Sequence, residues 1–139
     1  MRAALALSAV LLLAGCGGGD QDFPRTATAV CEETNAEIRA LGTPESFTDT
    51  QLFARQAKGA VDDQIRDLEK LEPTAEDAEA FDRYLATLRE RARLLGQMAE
   101  AADATSMNDV RQVGTELGRI DVTAREQATA IGLGACEPQ

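Results

Sequence analysis

The chain contains four long segments in which apolar residues recur every three or four positions. This spacing places the apolar side chains on one face of an α-helix, and the every-second-residue alternation of a β-strand is absent. We label the segments A (24–41), B (48–72), C (74–102) and D (106–131). Four amphipathic helices with one apolar stripe each predict an all-α protein whose stripes face a common core.

Capping and turn residues mark the ends of these segments. B opens with the capping-box pattern Thr48-Asp49-Thr50-Gln51, C with Thr74 and D with Ser106. Residues that stop helices follow A, B and D: Gly42, Pro73 and Gly132. Because the connections are short, the sequence predicts antiparallel neighbours in an up-down-up-down four-helix bundle. The narrow stripes of C and D also fit a long coiled-coil hairpin that dimerises.

Segment A is the shortest of the four. It has about 16 residues and the others about 23 to 28, so at 1.5 Å per residue A is roughly 10 to 18 Å shorter. We therefore expect three helices instead of four at the end of the bundle where A joins B. Four large apolar residues fall at this end: Phe47, Phe53, Met98 and Met107. They either fill the gap as core or line a groove for a small apolar ligand.

The first 16 residues differ in composition from the rest of the chain. Arg2 precedes an apolar run over residues 3–14, and Leu13-Ala14-Gly15-Cys16 closes the run. The run is too short to cross a bilayer as a helix, which takes roughly 20 apolar residues. This arrangement resembles the signal peptide and lipobox of bacterial lipoproteins. The resemblance implies cleavage before Cys16, diacylglycerol on its sulfur and often a further acyl chain, such as palmitate, on its amino group.

The resemblance divides the chain into three parts. Residues 1–15 form a signal peptide, 16–23 the lipidated cysteine with a flexible glycine-rich tether, and 24–139 the helical bundle domain. The expected location is the extracytoplasmic face of the cell membrane, with the lipid on Cys16 as the anchor. An uncleaved anchor or an Ala-x-Ala signal fits less well, because no stop-transfer pattern follows and the order Leu-Ala-Gly-Cys is specific.

Two cysteines remain once Cys16 carries the lipid. Cys31 lies in the early turns of A and Cys136 lies just beyond D, so an up-and-down bundle brings both to the same end. An even pair in an oxidising compartment predicts a structural disulfide. In the chain-entropy model, closing a loop of about 100 residues stabilises the fold by roughly 4.7 kcal/mol. A redox-active role is not expected, because a Cys-x-x-Cys motif is absent.

Charge and residue types limit the possible chemistry. The net charge of −10 becomes −11 when residues 1–15, with one arginine and no acid, are removed, and this charge disfavours nucleic acid as a partner. Histidine is absent, so Ser-His-Asp and Cys-His nucleophile pairs and histidine-bound zinc or haem are excluded. The Asp-rich calcium-loop pattern is also absent. The sequence thus nominates no catalytic residue, no metal ligand and no cofactor.

Several local clusters have simple explanations. The acidic groups at Asp62-Asp63 and Glu76-Asp77 fit solvated faces and helix starts. The basic cluster Arg89, Arg91 and Arg93 fits exposed ion pairs with Glu90 and other acids, because alternate residues diverge on a helix. Gly114 and Gly118 indicate close helix approach or a shallow groove on D. The stretch 47–51 resembles, with Phe for Leu, the Leu-Thr-x-x-Gln motif of periplasmic helical stress chaperones.

The expected function is non-catalytic binding. We expect a membrane-anchored lipoprotein that binds an envelope protein or a small apolar ligand, through the end where A joins B or through a helix face. The alternative is a structural or accessory subunit that dimerises or docks through its helices, and a chaperone-like role is a third, weaker hypothesis. An enzyme is not expected, because the residue inventory contains no catalytic constellation.

Overall fold

The computed structural model describes residues 19–136 of the chain. The predicted signal peptide and the lipidation of Cys16 lie outside these residues. The described part consists of four α-helices and a C-terminal 3-10 turn: α1 Gly19–Ala40, α2 Phe47–Leu68, α3 Ala78–Asp103, α4 Met107–Ala130 and the turn Gly134–Cys136. No strand occurs in residues 19–136, so the all-α prediction is confirmed. In this same range, no helix is long and apolar enough to cross a membrane.

The first helix begins earlier than the sequence predicts. It starts at Gly19, so residues 19–23 are helical where a flexible tether is expected. Phe23 is 4 % exposed, and its ring packs edge-on against Phe81 of α3 at a centroid distance of 5.0 Å. Burial of such a side chain contributes about 1.5–3 kcal/mol, which offsets the hydrogen bond that Pro24 cannot donate. With 22 residues, α1 is as long as α2, so the predicted difference in length between them is wrong.

The start of α2 also differs from its predicted position. Ser46 is the N-cap: its Oγ accepts a hydrogen bond from the backbone N–H of Asp49 at 3.1 Å and donates one to the Asp49 carboxylate at 2.7 Å. The helix is therefore capped by Ser46, and Thr48 and Gln51 do not form the predicted capping box. The Gln51 side chain instead donates a hydrogen bond to Asp103 at the end of α3.

The remaining helix boundaries agree with the sequence in part. Ser106 caps α4 as predicted, by accepting from the N–H of Asp109 at 3.4 Å. Thr74 caps a turn before α3, and the helix itself begins four residues later, at Ala78. Gly42 and Gly132 follow α1 and α4 with φ of +74° each, a left-handed conformation that glycine adopts without steric cost.

One hydrophobic core joins all four helices. Its large, fully buried side chains come from the end of α2, the first half of α3 and the chain after α4: Leu68, Tyr84, Leu88 and Leu133. The start of α1 contributes Phe23 and Ala27, and the last turns of α4 contribute Ala124 and Ala128. The middle and end of α3 face the core mostly with alanine and leucine. The bulky part of the core thus lies at one end of the molecule.

The C-terminal turn fills the space between α1 and α4. Among the described residues, the backbones of these two helices do not approach within 8 Å, and the turn lies against both. The Sγ atoms of Cys31 and Cys136 lie at disulfide distance, 1.92 Å, with their Cα atoms 4.7 Å apart, as predicted for this pair. Asn35 donates to the carbonyl of Ala135 at 3.0 Å, and Tyr84 donates to the carbonyl of Cys136 at 3.4 Å. The turn is therefore an integral part of the core.

Candidate functional site

A row of adjoining cavities lies along the seam between α1 and α2. Three adjoining cavities of about 210, 420 and 250 Å³ form it. The first two cavities share Glu37 and Ala60, and the second and third share Leu41 and Gln56. We call the surface lined by these three cavities the α1–α2 groove. It extends along α2 from Asp67 to Asp49 and ends at the 41–46 connection.

Small and apolar residues form the floor of this groove in its middle and beside the 41–46 connection, whereas polar side chains make up most of the lining towards Asp67. Ala40 and Leu41 at the end of α1 face Gly59 and Ala60 of α2 across the middle cavity. A Cβ atom on Gly59 would meet no neighbouring atom within 4 Å, so the position opens into free space. Towards the 41–46 connection, the floor continues through Phe53 and through Leu52, which is 56 % exposed. Glycine costs about 1 kcal/mol relative to alanine inside a helix, so Gly59 lowers the stability of α2 while leaving this part of the groove without a side chain.

The rim of the groove is strongly acidic. One arginine, Arg66, lines it, and its guanidinium lies 2.6 Å from the Asp63 carboxylate. The lining includes six carboxylates: Glu33, Glu37, Glu45, Asp49, Asp63 and Asp67. The Lys70 ammonium donates a hydrogen bond to Asp67 and holds the pKa of that carboxyl below its usual value. Within residues 22–136, Glu33 and Glu37 make no ion pair. The groove therefore presents unneutralised negative charge beside an apolar floor.

The four residues nominated from the sequence do not line one groove. Phe53 lines the α1–α2 groove together with residues of the 41–46 connection. Phe47 is half-buried at the start of α2 and lies outside the groove lining. Met98 faces α4, with its Cε 3.6 Å from the position that a Cβ on Gly114 would occupy, and Met107 is 55 % exposed at the start of α4. The groove thus includes one of the four predicted residues.

Sequence reasoning missed the small residues of the groove. These residues have no polar or reactive side-chain group, so their side chains do not distinguish them from other helix positions: Ala40, Gly59 and Ala60. A signal was nevertheless present, because Gly59 and Ala60 are adjacent on B and Ala36 and Ala40 lie one turn apart on A. Small residues on facing sides of two paired helices leave a depression at the helix seam.

The sequence predicted that the basic cluster on α3 is exposed throughout, but its arginines differ in exposure. Arg93 pairs with Glu90 at the surface, and Arg89 reaches Glu69 at 2.6 Å. Arg91 is 7 % exposed, and its Nε donates to the Asp121 carboxylate of α4 at 2.7 Å. The prediction for Arg91 is wrong, because the close packing of α3 against α4 covers this position.

In residues 19–136, no group of three or more His, Cys, Asp and Glu side chains is arranged to hold a metal ion. Burial raises the pKa of the Tyr84 hydroxyl, which acts as a hydrogen-bond donor inside the core. The α1–α2 groove combines exposed carboxylates with an apolar floor, and this combination suits recognition of a cationic, partly apolar surface.

Comparison with known proteins gives no family. No protein-family model, no curated protein and no solved structure matches the chain. Fold alone does not imply function, since helical bundles carry many unrelated activities. The α1–α2 groove and its side chains are therefore the basis for assigning a function.

Proposed function

We propose that this protein is a lipid-anchored, non-catalytic binding module on the extracytoplasmic face of a bacterial cell membrane, and that it binds its partner in the α1–α2 groove. The anchor part rests on Leu13-Ala14-Gly15-Cys16 and the apolar run before it. The binding part rests on one observation, the row of adjoining cavities with an apolar middle and an acidic rim. A monomeric domain that leaves such a surface open is suited to binding another molecule.

The proposal includes an up-down-up-down order of the four helices. Contacts along the α2–α3 pair support it, since Gln51 bonds to Asp103, Lys58 lies 3.7 Å from the Gly96 Cβ position and Glu69 pairs with Arg89. Residue numbers rise along α2 while they fall along α3, which is expected of antiparallel neighbours. The α3–α4 pair behaves in the same way: Arg91 pairs with Asp121, and Met98 lies beside Gly114.

The proposed anchor, Cys16, precedes α1 in the chain, and α1 lines one side of the groove. Two residues, Gly17 and Gly18, lie between Cys16 and Gly19, so the chain spans at most about 11 Å from the proposed anchor to the start of α1. The groove lining on α1 begins at Val30, eleven residues beyond Gly19, which is about 16 Å of helix. A partner in the aqueous space can therefore reach the groove while the start of α1 is held at the membrane.

Site-specific photo-crosslinking in cells tests the proposal. A benzophenone amino acid is placed at Gln56 in the groove or, as the control, at Thr115, which is exposed on α4. We expect the Gln56 variant of the membrane-anchored protein to give a crosslinked product of defined mass that the Thr115 variant does not give. If Gln56 gives no product, or if both sites give the same products, the groove is not the binding surface.

One observation favours the alternative, an accessory subunit that docks through α4. Only Ala124 and Ala128 of this helix are fully buried, whereas Met107 and Val122 are 55 % and 51 % exposed. A helix with so little buried surface is a candidate for contact with a second protein. Light scattering of the anchored protein in detergent distinguishes the two functions. A dimer that Val122→Glu dissociates would support the alternative, and a monomer would remove self-association through α4.

A further inference from the structure

We infer that the partner segment bound in the α1–α2 groove is a basic amphipathic α-helix of another protein. This inference rests on the proposed function and adds the chemistry of the partner to it. Three properties of the groove carry it: its unneutralised acidic rim, its apolar floor and its length.

Charge complementarity indicates a cationic partner. Glu33 and Glu37 have no ion-pair partner among residues 22–136; Glu37 lines the apolar middle cavity, and Glu33 lines the cavity next to it on the α1 side. Arg66, the single basic residue of the lining, is already occupied by Asp63. Lysine or arginine side chains on a partner would pair with these carboxylates and shield them from one another. Nucleic acid and anionic lipid are repelled by the same charges.

The shape of the groove indicates a helical partner. The lining on α2 extends from Asp49 to Asp67, and 18 helical residues span about 27 Å. A partner helix of about five turns would cover this length, with apolar side chains over the middle cavity and the end near the 41–46 connection, and basic side chains over the polar part towards Asp67. Gly59 and Ala60 at the centre allow the partner backbone to approach α2 closely, and Leu52 and Phe53 provide apolar contacts at one end. A small apolar ligand would occupy the central cavity alone and would leave the rim charges unpaired.

Synthetic peptides provide the probe for this partner chemistry. Fluorescence anisotropy measures binding of three labelled peptides of about five helical turns: an amphipathic Leu/Lys peptide, the same pattern with Glu for Lys, and a scrambled Leu/Lys peptide without an apolar stripe. The lipid-anchored protein is held in phosphatidylcholine nanodiscs, and the signal from empty nanodiscs is subtracted. We expect only the amphipathic Leu/Lys peptide to bind, and more weakly at high salt because the charges are exposed.

Matched variants locate the binding surface. Gly59→Leu fills the centre of the groove, and Gly118→Leu is its control, because a Cβ on either glycine meets nothing within 4 Å. We expect Gly59→Leu to weaken peptide binding about tenfold or more, and Gly118→Leu to change it less than twofold. Glu37→Lys and the control Glu126→Lys change the net charge equally, and only Glu37 lines the groove. We expect only Glu37→Lys to weaken binding.

The outcomes separate this inference from the proposed function. Equal binding of the acidic peptide, or equal loss in the groove and control variants, would overturn the inference of a basic helix. If the Leu/Lys peptide fails while Gln56 still crosslinks to a partner in cells, the groove is a binding site for other chemistry. If a small apolar probe alone displaces that crosslink, the partner is a ligand and the helix inference is wrong.

Discussion

At the residue scale, Arg91 is buried although the sequence analysis predicted an exposed ion pair at this position. The sequence places it on the same stripe as Tyr84, Leu88 and Leu95, at steps of four, three and four residues. Its flanking arginines suggested a common exposed role, but the stripe position decides the outcome. The side chain is buried against α4 and paired with Asp121. The helical periodicity therefore indicates that Arg91 is buried, whereas the charge of its side chain favoured the prediction that it is exposed.

The Arg91–Asp121 pair leads to a stability prediction. Asp121→Asn leaves the Arg91 guanidinium buried without its carboxylate, and removing one partner of a buried pair costs about 3–5 kcal/mol. Since the Asp121 side chain is 34 % exposed, we expect a smaller loss, about 2 kcal/mol. Urea denaturation measures it. Glu90→Gln, which breaks the exposed pair with Arg93, is the control with an expected loss below about 0.5 kcal/mol. Equal losses in both variants would contradict the burial of Arg91.

At the element scale, the number and type of the helices follow from the sequence, and the starts of α1, α2 and α3 do not. The stops at Gly42 and Gly132 were predictable, because a left-handed residue after a helix favours glycine. The start of α1 was not, because Pro24 resembles a helix beginning and the stabilising contact of Phe23 is with α3. The start of α2 depends on which of two hydroxyl residues, Ser46 or Thr48, caps the helix. Local pattern does not decide between such close candidates.

The early start of α1 can be tested at Phe23. Phe23→Ala removes a ring that is 4 % exposed, and we expect a loss of about 3 kcal/mol in the free energy of unfolding. Leu52→Ala, at a position that is 56 % exposed, should cost less than about 1 kcal/mol. Chemical denaturation of both variants gives the comparison. A negligible effect of Phe23→Ala would mean that residues 19–23 form the free tether that the sequence predicts.

The C-terminal turn depends on the pairing of Cys31 with Cys136. Peptide mapping under non-reducing conditions, after alkylation of the native protein, should give one linked peptide containing both cysteines and no alkylated thiol at either position. Cys136→Ser should lower the free energy of unfolding by about 2–5 kcal/mol, as expected when a native disulfide of a small secreted domain is removed. Full alkylation of both cysteines in native material would contradict the bridge.

At the scale of the whole molecule, the sequence predicts a binding protein with a candidate groove at one end of the bundle, whereas the function proposed from the structure uses the seam between α1 and α2. The sequence directed attention to the bundle end with Phe47, Phe53, Met98 and Met107, of which Phe53 alone lines the α1–α2 groove. The position of a groove depends on which helices pair and on how closely they approach. The apolar periodicity of the sequence specifies neither. The apolar stripes of the helices also did not predict that α1 and α4 lie apart, with the C-terminal turn packed between them. Large apolar side chains can be predicted from the sequence to form the core. A groove that small residues leave between two helices can be recognised only in the folded structure.

The membrane anchor is a prediction about the intact chain. Cys16→Ser should abolish metabolic labelling with a fatty acid and release the protein from the membrane fraction, because the thiol is the acceptor for diacylglycerol. Cys31→Ser is the control and should retain the label, since this cysteine belongs to the helical domain. A Cys16→Ser protein that is still cleaved, labelled and membrane-bound would disprove the lipid anchor.

Binding in the α1–α2 groove is the central claim, and the crosslink yield at Gln56 in cells tests it most directly. The crosslink yield is compared in three backgrounds: the otherwise unmodified protein, Gly59→Leu and Gly118→Leu. The two substitutions are matched, because a Cβ atom at either glycine would meet no neighbouring atom within 4 Å. The account predicts that Gly59→Leu lowers the yield about tenfold while Gly118→Leu leaves it unchanged, because only the first blocks the groove. Equal yields in all three backgrounds would contradict the assignment of the groove as the binding site.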